Sequence, residues 1–200
     1  MIIDLIRHGD TGRRGHFDGR NDPPLLADAC AGWSTSMAAL HWNHAISSPL
    51  QRAQQTAQAL IGSSALSLSI AEDWAEWHFG DWEGLSPEEL ACSDAGRVAL
   101  ANFQRDPVRF PPPNAEPWDV FQTRVGRALR SLASLDDSAR VLVVSHAGPI
   151  RQAIASACGI PLPSVWAMRI DYGTRVRLRL GLDSNDRVWG ELIELRQACD

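Results

Sequence analysis

The chain has 200 residues, of which 44% are hydrophobic and 22% are charged, and its formal net charge is −5. Such values are typical of an ordinary globular protein, and the negative charge argues against a dedicated nucleic-acid-binding protein. All 19 basic residues are arginine, which excludes Schiff-base chemistry and any phosphate loop that requires lysine. We therefore predict a single domain over residues 1–200 with no nucleic-acid partner.

The cysteine spacing and the apolar segments argue against further classes of protein. The cysteines lie too far apart for a zinc site, at Cys30, Cys92, Cys158 and Cys199. Asp4 and Arg7 interrupt the first apolar run, so it does not resemble a secretory signal. No stretch approaches the roughly 20 apolar residues of a membrane-spanning helix. We expect a cytoplasmic protein with reduced thiols, no metal and no membrane partner.

Strands and helices alternate in the first part of the chain. The apolar run over 2–6 predicts a short buried strand, and a helix is predicted over 25–40 after a turn signal. Residues 45–47 predict a second strand, followed by a clear helix over 50–62. A third strand is predicted over 66–70.

The middle of the chain, over 74–117, is irregular in its pattern. It contains one predicted helix around 86–104 and ends in a proline-rich loop. We predict that 77–117 forms an irregular and helical insertion over the functional site. Another helix is predicted over 118–135.

The last part of the chain predicts the fold class. The continuously apolar VLVV of 141–144 is typical of a strand buried on both faces, and a turn and a helix follow it. The tail alternates over 175–183 and 187–195, which predicts a hairpin or two edge strands that could pair in a homodimer. Strands that alternate with helices predict an α/β protein, a three-layer αβα sandwich with a mostly parallel sheet.

The predicted strand ends carry charged and ring side chains. Arg7 and His8 end the first strand, Arg52 begins the helix after the second, and His146 follows VLVV with Arg151 one helical turn later. In such a sheet, function gathers beyond the carboxyl ends of the strands. A single histidine after a strand is more often a capping or packing residue. Histidines and arginines at three strand ends together favour a site for a tetrahedral oxyanion.

Rival chemistries fit these residues poorly. A serine hydrolase turn needs glycine two residues before Ser145, where Val143 stands. Cys92 and Arg97 have four residues between them rather than the five of a cysteine phosphatase loop, and no cluster of metal ligands is evident. An imidazole nucleophile that attacks phosphorus remains.

An acid for the leaving group is expected in the tryptophan-rich stretch WAEWHFGDWEG. It supplies Glu76, Asp81 and Glu83, and apolar aromatic surroundings raise the pKa of a carboxyl group. Solvated acids are the simpler interpretation for Asp81 and Glu83. Periodicity alone does not select Glu76.

Four ordered motifs, IRHGDT, SSPLQRAQQTA, EWHFGDWEG and VSHAGPIR, resemble those of the histidine phosphatase superfamily, which has the phosphoglycerate mutase-like fold. The resemblance runs from residue 2 to about 152. It implies that His8 is the nucleophile that becomes phosphohistidine. Arg7, Arg52 and His146 would hold the transferring phosphoryl group, and Glu76 would donate the proton. It implies no metal and no cofactor.

The tail VWAMRIDYGTRVRLRL resembles that of alpha-ribazole phosphatases and related small phosphatases. The resemblance therefore implies a phosphomonoester hydrolase acting on a small phosphorylated metabolite, such as alpha-ribazole phosphate. Two alternatives stay open: a phosphoglycerate mutase-type phosphoryl transfer and an inactive phosphate-binding module.

Further contacts to phosphate or substrate are expected from residues in or beside the motifs, namely Thr11, Arg14, Gly19, Arg20 and Ala147. The sequence departs from its relatives here. Arg14 stands where they often place a phosphate-contacting asparagine, and Asn-Ala-Glu-Pro over 114–117 replaces their Gly-Gly-Glu-Ser. These departures affect the expected substrate rather than phosphoryl transfer.

Overall fold

Six strands form one mixed sheet in a computed structural model that describes residues 1–33, 37 and 40–198. The strands are β1 (Ile2–Arg7), β2 (His44–Ser47), β3 (Leu68–Ile70), β4 (Arg140–Ser145), β5 (Arg175–Leu182) and β6 (Val188–Arg196). Their order in the sheet is β3-β2-β4-β1-β5-β6. The first four pair in parallel, whereas β5 pairs antiparallel with both β1 and β6.

Helices connect the strands and cover the sheet. They are α1 (Gln51–Ile61), α2 (Pro87–Leu90), α3 (Asp94–Arg105), α4 (Trp118–Ala133), α5 (Ala147–Cys158) and α6 (Leu162–Trp166). Two short 3₁₀ turns lie at Glu72–Trp74 and Gly80–Trp82. No helix among the described residues has the length and apolar character needed to cross a membrane.

The apolar residues of the central strands alternate between two cores. Val141 and Val143 of β4 pack into the cluster that contains buried residues of α4 and α5, whereas Leu142 and Val144 pack with α1 residues on the opposite face. Because a strand turns successive side chains to opposite faces, a continuously apolar strand needs cover on both. The predicted αβα sandwich with a mostly parallel sheet is confirmed.

The helix predicted over 25–40 is wrong in its first half. Residues 25–26 are extended and 27–32 form turns, while 34–36, 38 and 39 lie outside the described residues. The backbone N–H of Leu26 donates to the carbonyl oxygen of Asp10 at 2.9 Å, which ties this segment to the loop after β1. The apolar spacing over 25–32 therefore reflects packing of a loop, whereas Trp33 and Met37 are helical.

The single helix predicted over 86–104 is two helices. Ser86 caps α2 through a reciprocal pair of hydrogen bonds with Glu89, and Ser93 then caps α3 by accepting from the N–H of Gly96. The second cap starts a new helix in a new direction. The short helix α6 was not predicted at all.

The tail is the predicted hairpin, but only one of its strands is an edge strand. β5 lies inside the sheet between β1 and β6, and β6 forms the edge. Pairing of this edge with a second copy stays a prediction.

Candidate active site

The parallel pairing of β1 with β4 brings two histidines together. Arg7 is in register with Ser145, so the residues that follow them, His8 and His146, leave neighbouring strands at the same level. The backbone N–H of His8 donates to the carbonyl oxygen of Ser145 at 3.0 Å, and the two imidazole rings lie 5.0 Å apart. The sheet register thus places both rings side by side at its carboxyl edge.

Two contacts fix the tautomer of His8. Its Nδ1 lies 2.8 Å from the carbonyl oxygen of Gly9, and a carbonyl oxygen only accepts, so Nδ1 carries the proton. The Nε–H of Arg52 donates to His8 Nε2 at 3.3 Å, which agrees with a lone pair on that nitrogen. His8 therefore presents an unprotonated Nε2, the nucleophilic form of imidazole.

The surroundings of His8 keep the ring neutral. Burial, together with the positive charges of Arg52 and Arg7, lowers the pKa of His8 well below its ordinary value. The Nδ1 hydrogen bond to Gly9 acts in the opposite direction and is outweighed. A neutral His8 keeps its Nε2 lone pair available at physiological pH.

The Arg52 side chain is held mainly by carbonyl oxygens. It is 1% exposed, and its terminal nitrogens donate to the carbonyl oxygens of Asp18 at 2.7 Å and Asn21 at 2.8 Å. An ion pair with Asp22 is longer, at 3.3 Å. Burial lowers the pKa of Arg52, but an arginine remains charged. The loop 18–22 therefore directs a cation at His8.

The loop 18–22 is itself held by Glu83. The Glu83 carboxylate accepts backbone N–H groups from Gly19, Arg20 and Asn21, at distances of 2.9 to 3.1 Å, and from Phe79 at 2.8 Å. A Cβ at Gly19 would lie 2.3 Å from a Glu83 oxygen, so only glycine fits. Glu83 is thus a structural anchor rather than the expected solvated acid.

Arg7 lies between the backbone and an aromatic ring. It donates to the carbonyl oxygen of Ile170 at 2.8 Å, and its guanidinium carbon lies 4.2 Å from the centre of the Tyr172 ring. Its Nε is buried and has no partner among the described residues. A buried cation with an unused donor is suited to an anionic ligand.

His146 has one engaged and one unengaged ring nitrogen. It is 0% exposed, Nε2 lies 2.7 Å from Ser48 Oγ, and Nδ1 is buried without a partner among the described residues. Burial, together with the positive charges of Arg52 and Arg7, lowers the pKa of His146 well below its ordinary value. This ring too is neutral near pH 7, with one nitrogen left for a ligand.

Glu76 faces the same space from the segment between the two 3₁₀ turns. It is 8% exposed, and its carboxylate accepts the backbone N–H groups of Trp77 at 2.9 Å and Gly148 at 3.3 Å. A Cβ at Gly148 would lie 2.2 Å from Glu76 Oε1, so the carboxylate lies directly against α5. Glu76 is the carboxylate that lines the cavity beside Arg7 and His8.

These side chains open into one cavity of about 240 Å³. Arg7, His8, Arg52 and Glu76 line one part of it, and His146 lies behind His8. Eight aromatic side chains also line it, namely Phe17, Trp77, Phe79, Phe103, Trp118, Phe121, Trp166 and Tyr172. The cavity therefore joins a cationic end to an apolar, aromatic wall.

The other residues predicted from the motifs fall into two groups. Thr11 and Ala147 line the cavity. Gly19, Arg14 and Arg20 do not line it: Gly19 supports Arg52, and Arg14 pairs with Asp171 at 3.0 Å. Arg20 is exposed and is held through its backbone N–H.

The sequence did not single out several residues of this cavity. Tyr172 is the only tyrosine of the chain, and no role was predicted for it although it lies in the tail that resembles alpha-ribazole phosphatases. Arg151 was noted as a nearby cation; it donates weakly to the carbonyl oxygen of Met168, at 3.2 Å, and lies over the Trp166 ring at 5.0 Å. Such residues come from segments distant in sequence, so only the fold brings them to the site.

Carboxylates and thiols do not gather elsewhere in the described residues. No group of three or more His, Cys, Asp or Glu side chains within them is arranged to hold a metal ion. Asp10 accepts the N–H of Gly12 and acts as a loop residue, and Asp81 accepts from Asn114 at the surface.

Comparisons with known proteins agree with this geometry. The adenosylcobalamin/alpha-ribazole phosphatase of Escherichia coli is 30% identical over 178 residues, which are 86% of this chain and 87% of that protein. The crystal structure of the alpha-ribazole phosphatase from Shigella flexneri matches with a TM-score of 0.80 and 28% identity over 98% of this chain and 96% of that one.

A more distant structure supports the fold alone. The mycobacterial glucosyl-3-phosphoglycerate phosphatase is 20% identical, with a TM-score of 0.85 over 100% of this chain and 99% of that one. The model of the histidine phosphatase superfamily (branch 1) matches residues 3–188. The chain therefore belongs to the histidine phosphatase superfamily, and it is a phosphatase.

Proposed function

We propose that this phosphatase hydrolyses phosphomonoesters without a metal, through a phosphohistidine formed on His8. One observation carries the proposal: a neutral His8, whose unprotonated Nε2 accepts a long hydrogen bond of 3.3 Å from Arg52, lines a cavity together with Arg7, Arg52 and Glu76. Nucleophile, cations and proton donor are thus within one small space.

In the first step, the lone pair of His8 Nε2 attacks phosphorus in line with the leaving oxygen. The N–P bond forms as the P–O bond breaks, and the Glu76 carboxyl group gives its proton to the leaving oxygen. Arg7, Arg52 and the Nδ1 of His146 bind the equatorial phosphoryl oxygens, where negative charge is concentrated in the transition state. The buried Arg7 Nε and His146 Nδ1, which have no partner among the described residues, support this role for two of the three groups.

In the second step, the Glu76 carboxylate takes a proton from water. The water oxygen attacks phosphorus, the N–P bond breaks, and neutral His8 and inorganic phosphate are released. One residue thus acts as acid and then as base. The backbone N–H groups of Trp77 and Gly148 donate to its carboxylate and hold it in one place for both steps.

The aromatic wall favours a substrate whose leaving group is flat and apolar. Aromatic side chains bind such groups through large contact area and ring packing. We therefore propose alpha-ribazole phosphate, which carries a fused aromatic ring system, as the substrate; the names of the relatives from Escherichia coli and Shigella flexneri agree with this choice. A small phosphorylated metabolite is thus the proposed binding partner.

A labelling experiment tests the mechanism. The protein is incubated with a phosphate-labelled substrate and quenched in base, in which phosphohistidine survives, and a second portion is treated with acid, which releases it. We expect a base-stable, acid-labile label on the wild-type protein and on His44→Ala, whose exposed side chain lies outside the cavity. His8→Ala is expected to carry none. A label that persists in His8→Ala, or turnover by the wild type without any label, would refute the assignment.

A substrate panel tests the specificity. The ratio kcat/KM is compared for alpha-ribazole phosphate, sugar phosphates, nucleotides and 3-phosphoglycerate, and the first is expected to be highest. Isomerisation of phosphoglycerate faster than its hydrolysis would instead identify a mutase. Binding of phosphate without hydrolysis of any ester in the panel would identify an inactive module.

A further inference from the structure

The segment 73–78, which carries Glu76, is held by an arginine from α4. Arg124 is 7% exposed. It donates to the carbonyl oxygens of Asp73 at 3.0 Å, Ala75 at 2.6 Å and Glu76 at 2.9 Å. Three hydrogen bonds from one rigid guanidinium to three residues of a four-residue stretch fix the backbone from which Glu76 projects.

The remaining donors of Arg124 bind Glu116. Nε donates to Oε1 at 2.7 Å and NH2 to Oε2 at 2.8 Å, so the pair is bidentate and all five N–H groups of the guanidinium are used. Glu116 also holds the segment directly. Its carbonyl oxygen accepts the indole N–H of Trp77 at 2.7 Å, and its N–H donates to the carbonyl oxygen of His78 at 3.0 Å.

Stability alone does not explain this pair. A buried ion pair is weak evidence for stability, since apolar side chains of similar volume often serve as well. Here the guanidinium makes three bonds to the backbone of one catalytic segment. The pair determines where that backbone lies, which an apolar replacement would not do.

We propose that Arg124 and Glu116 are positioning residues, which hold the Glu76 carboxyl group where it can give its proton to the leaving oxygen as His8 attacks phosphorus. This inference rests on the proposed function, in which Glu76 protonates the leaving group. Neither residue lines the cavity. They act through the segment 73–78.

The separate placement of the phosphoryl-binding groups makes the proposal testable. His8 and Arg7 belong to the end of β1 and Arg52 belongs to α1, whereas Arg124 contacts the segment 73–78. A change at Arg124 therefore moves the proton donor and leaves the binding of phosphate in place. Misplacement of a catalytic group by about 1 Å can cost about 10²-fold in rate.

The experiment uses Arg124→Lys and Glu116→Gln, which retain size and one or more hydrogen bonds. The matched control is Arg127→Gln, because Arg127 lies one turn further along α4 and makes an exposed ion pair with Asp73. For each protein, kcat/KM is measured with two substrates. The leaving oxygen of an alkyl phosphate is strongly basic and needs a proton from an acid, whereas 4-nitrophenyl phosphate releases a stable nitrophenolate anion and needs little help from a proton donor. Glu76→Gln provides the signature of a lost proton donor.

We expect both variants to lose about 10- to 100-fold in kcat/KM with the alkyl phosphate and less than about threefold with 4-nitrophenyl phosphate. We expect Glu76→Gln to lose more activity with the alkyl phosphate than these variants do, and again far less with 4-nitrophenyl phosphate. Arg127→Gln is expected to keep wild-type kcat/KM with both substrates. The inhibition constant of inorganic phosphate stays unchanged in Arg124→Lys, Glu116→Gln and Arg127→Gln, which also reports that their sites are folded.

Two results would overturn the proposal. One is an equal loss with both substrates, or a loss of phosphate binding, because the pair would then support the whole site. The other is unchanged kcat/KM with the alkyl phosphate. Failure of the proposed function is separate, since it would appear as a wild-type protein that turns over substrate without a base-stable label on His8.

Discussion

Gly148 is the residue at which a single methyl group tests the position of Glu76. In Gly148→Ala, the new Cβ lies 2.2 Å from Glu76 Oε1, and ordinary contact begins at 3.4 Å, so the carboxylate must move by about 1.2 Å. The atom that moves is the end of a flexible side chain, so the backbone of α5 remains in place. A displacement of this size predicts a loss of about 10²-fold in rate, or about 2.7 kcal/mol of barrier.

The assay is kcat/KM with an alkyl phosphate, together with thermal unfolding. Gly126→Ala is the matched control, because Gly126 lies inside α4 and a Cβ there meets nothing within 4 Å. Both substitutions place alanine inside a helix, which favours folding by up to about 1 kcal/mol. We expect Gly148→Ala to be folded but slow, and Gly126→Ala to be as active as the wild type. Activity of Gly148→Ala within about threefold of wild type would refute the reasoning.

The two buried histidines predict acid sensitivity, because their folded pKa values lie below the unfolded value of about 6.5. Above about pH 6.5 the free energy of unfolding contains the full contribution of the two neutral histidines. That contribution is lost as the pH falls towards the folded pKa values, by up to about 1.4 kcal/mol per histidine and per pH unit. Urea unfolding across pH 7.5 to about 5 measures this slope, and a His8→Gln variant that keeps the full wild-type slope would contradict it. The Arg52 charge lowers the pKa of His8, so we expect Arg52→Gln to raise the titration midpoint of His8 measured by NMR. The midpoint should return only part of the way to its ordinary value, because burial is the larger cause of the lowered pKa. An unmoved midpoint would refute this expectation.

The strand ends could be predicted because parallel pairing follows simple rules. A short apolar run that ends in Arg7 and His8, and a second that ends before His146, must meet at one edge if the strands are neighbours. The sequence thus predicted the cationic end of the cavity. The role of Glu76 needed the family resemblance, because its position depends on an irregular segment without periodicity.

The supports of the site could not be predicted. Glu83 accepts N–H groups from a loop more than 60 residues away, and Arg124 donates to carbonyl oxygens about 50 residues away. Backbone groups are the same at every position, so such contacts leave no mark in the sequence. The aromatic wall is similar: its members come from several separate elements that only the fold brings together.

The arginines differ in a way that follows from the chemistry of the site. Arg7, Arg52 and Arg151 line the cavity and are oriented chiefly by carbonyl oxygens of Ile170, Asn21 and Met168, among others. Away from the cavity, arginines such as Arg175 and Arg177 pair with the buried carboxylate of Asp4. A carbonyl dipole fixes the direction of a guanidinium without cancelling its charge, whereas a carboxylate does both.

Substrate binding depends on that difference. A phosphomonoester carries up to two negative charges, and an arginine already neutralised by a carboxylate would have to exchange one anion for another. Arg13 is the contrasting case within the cavity, because it pairs with Asp18 at 2.9 Å and so has less charge to offer. Arginines held by carbonyl oxygens keep the cationic end ready for the phosphoryl group, while the same charges keep His8 neutral and nucleophilic. The arginine charges thus serve both requirements of the proposed first step: they bind the dianion, and they add to the larger effect of burial in keeping the nucleophile unprotonated.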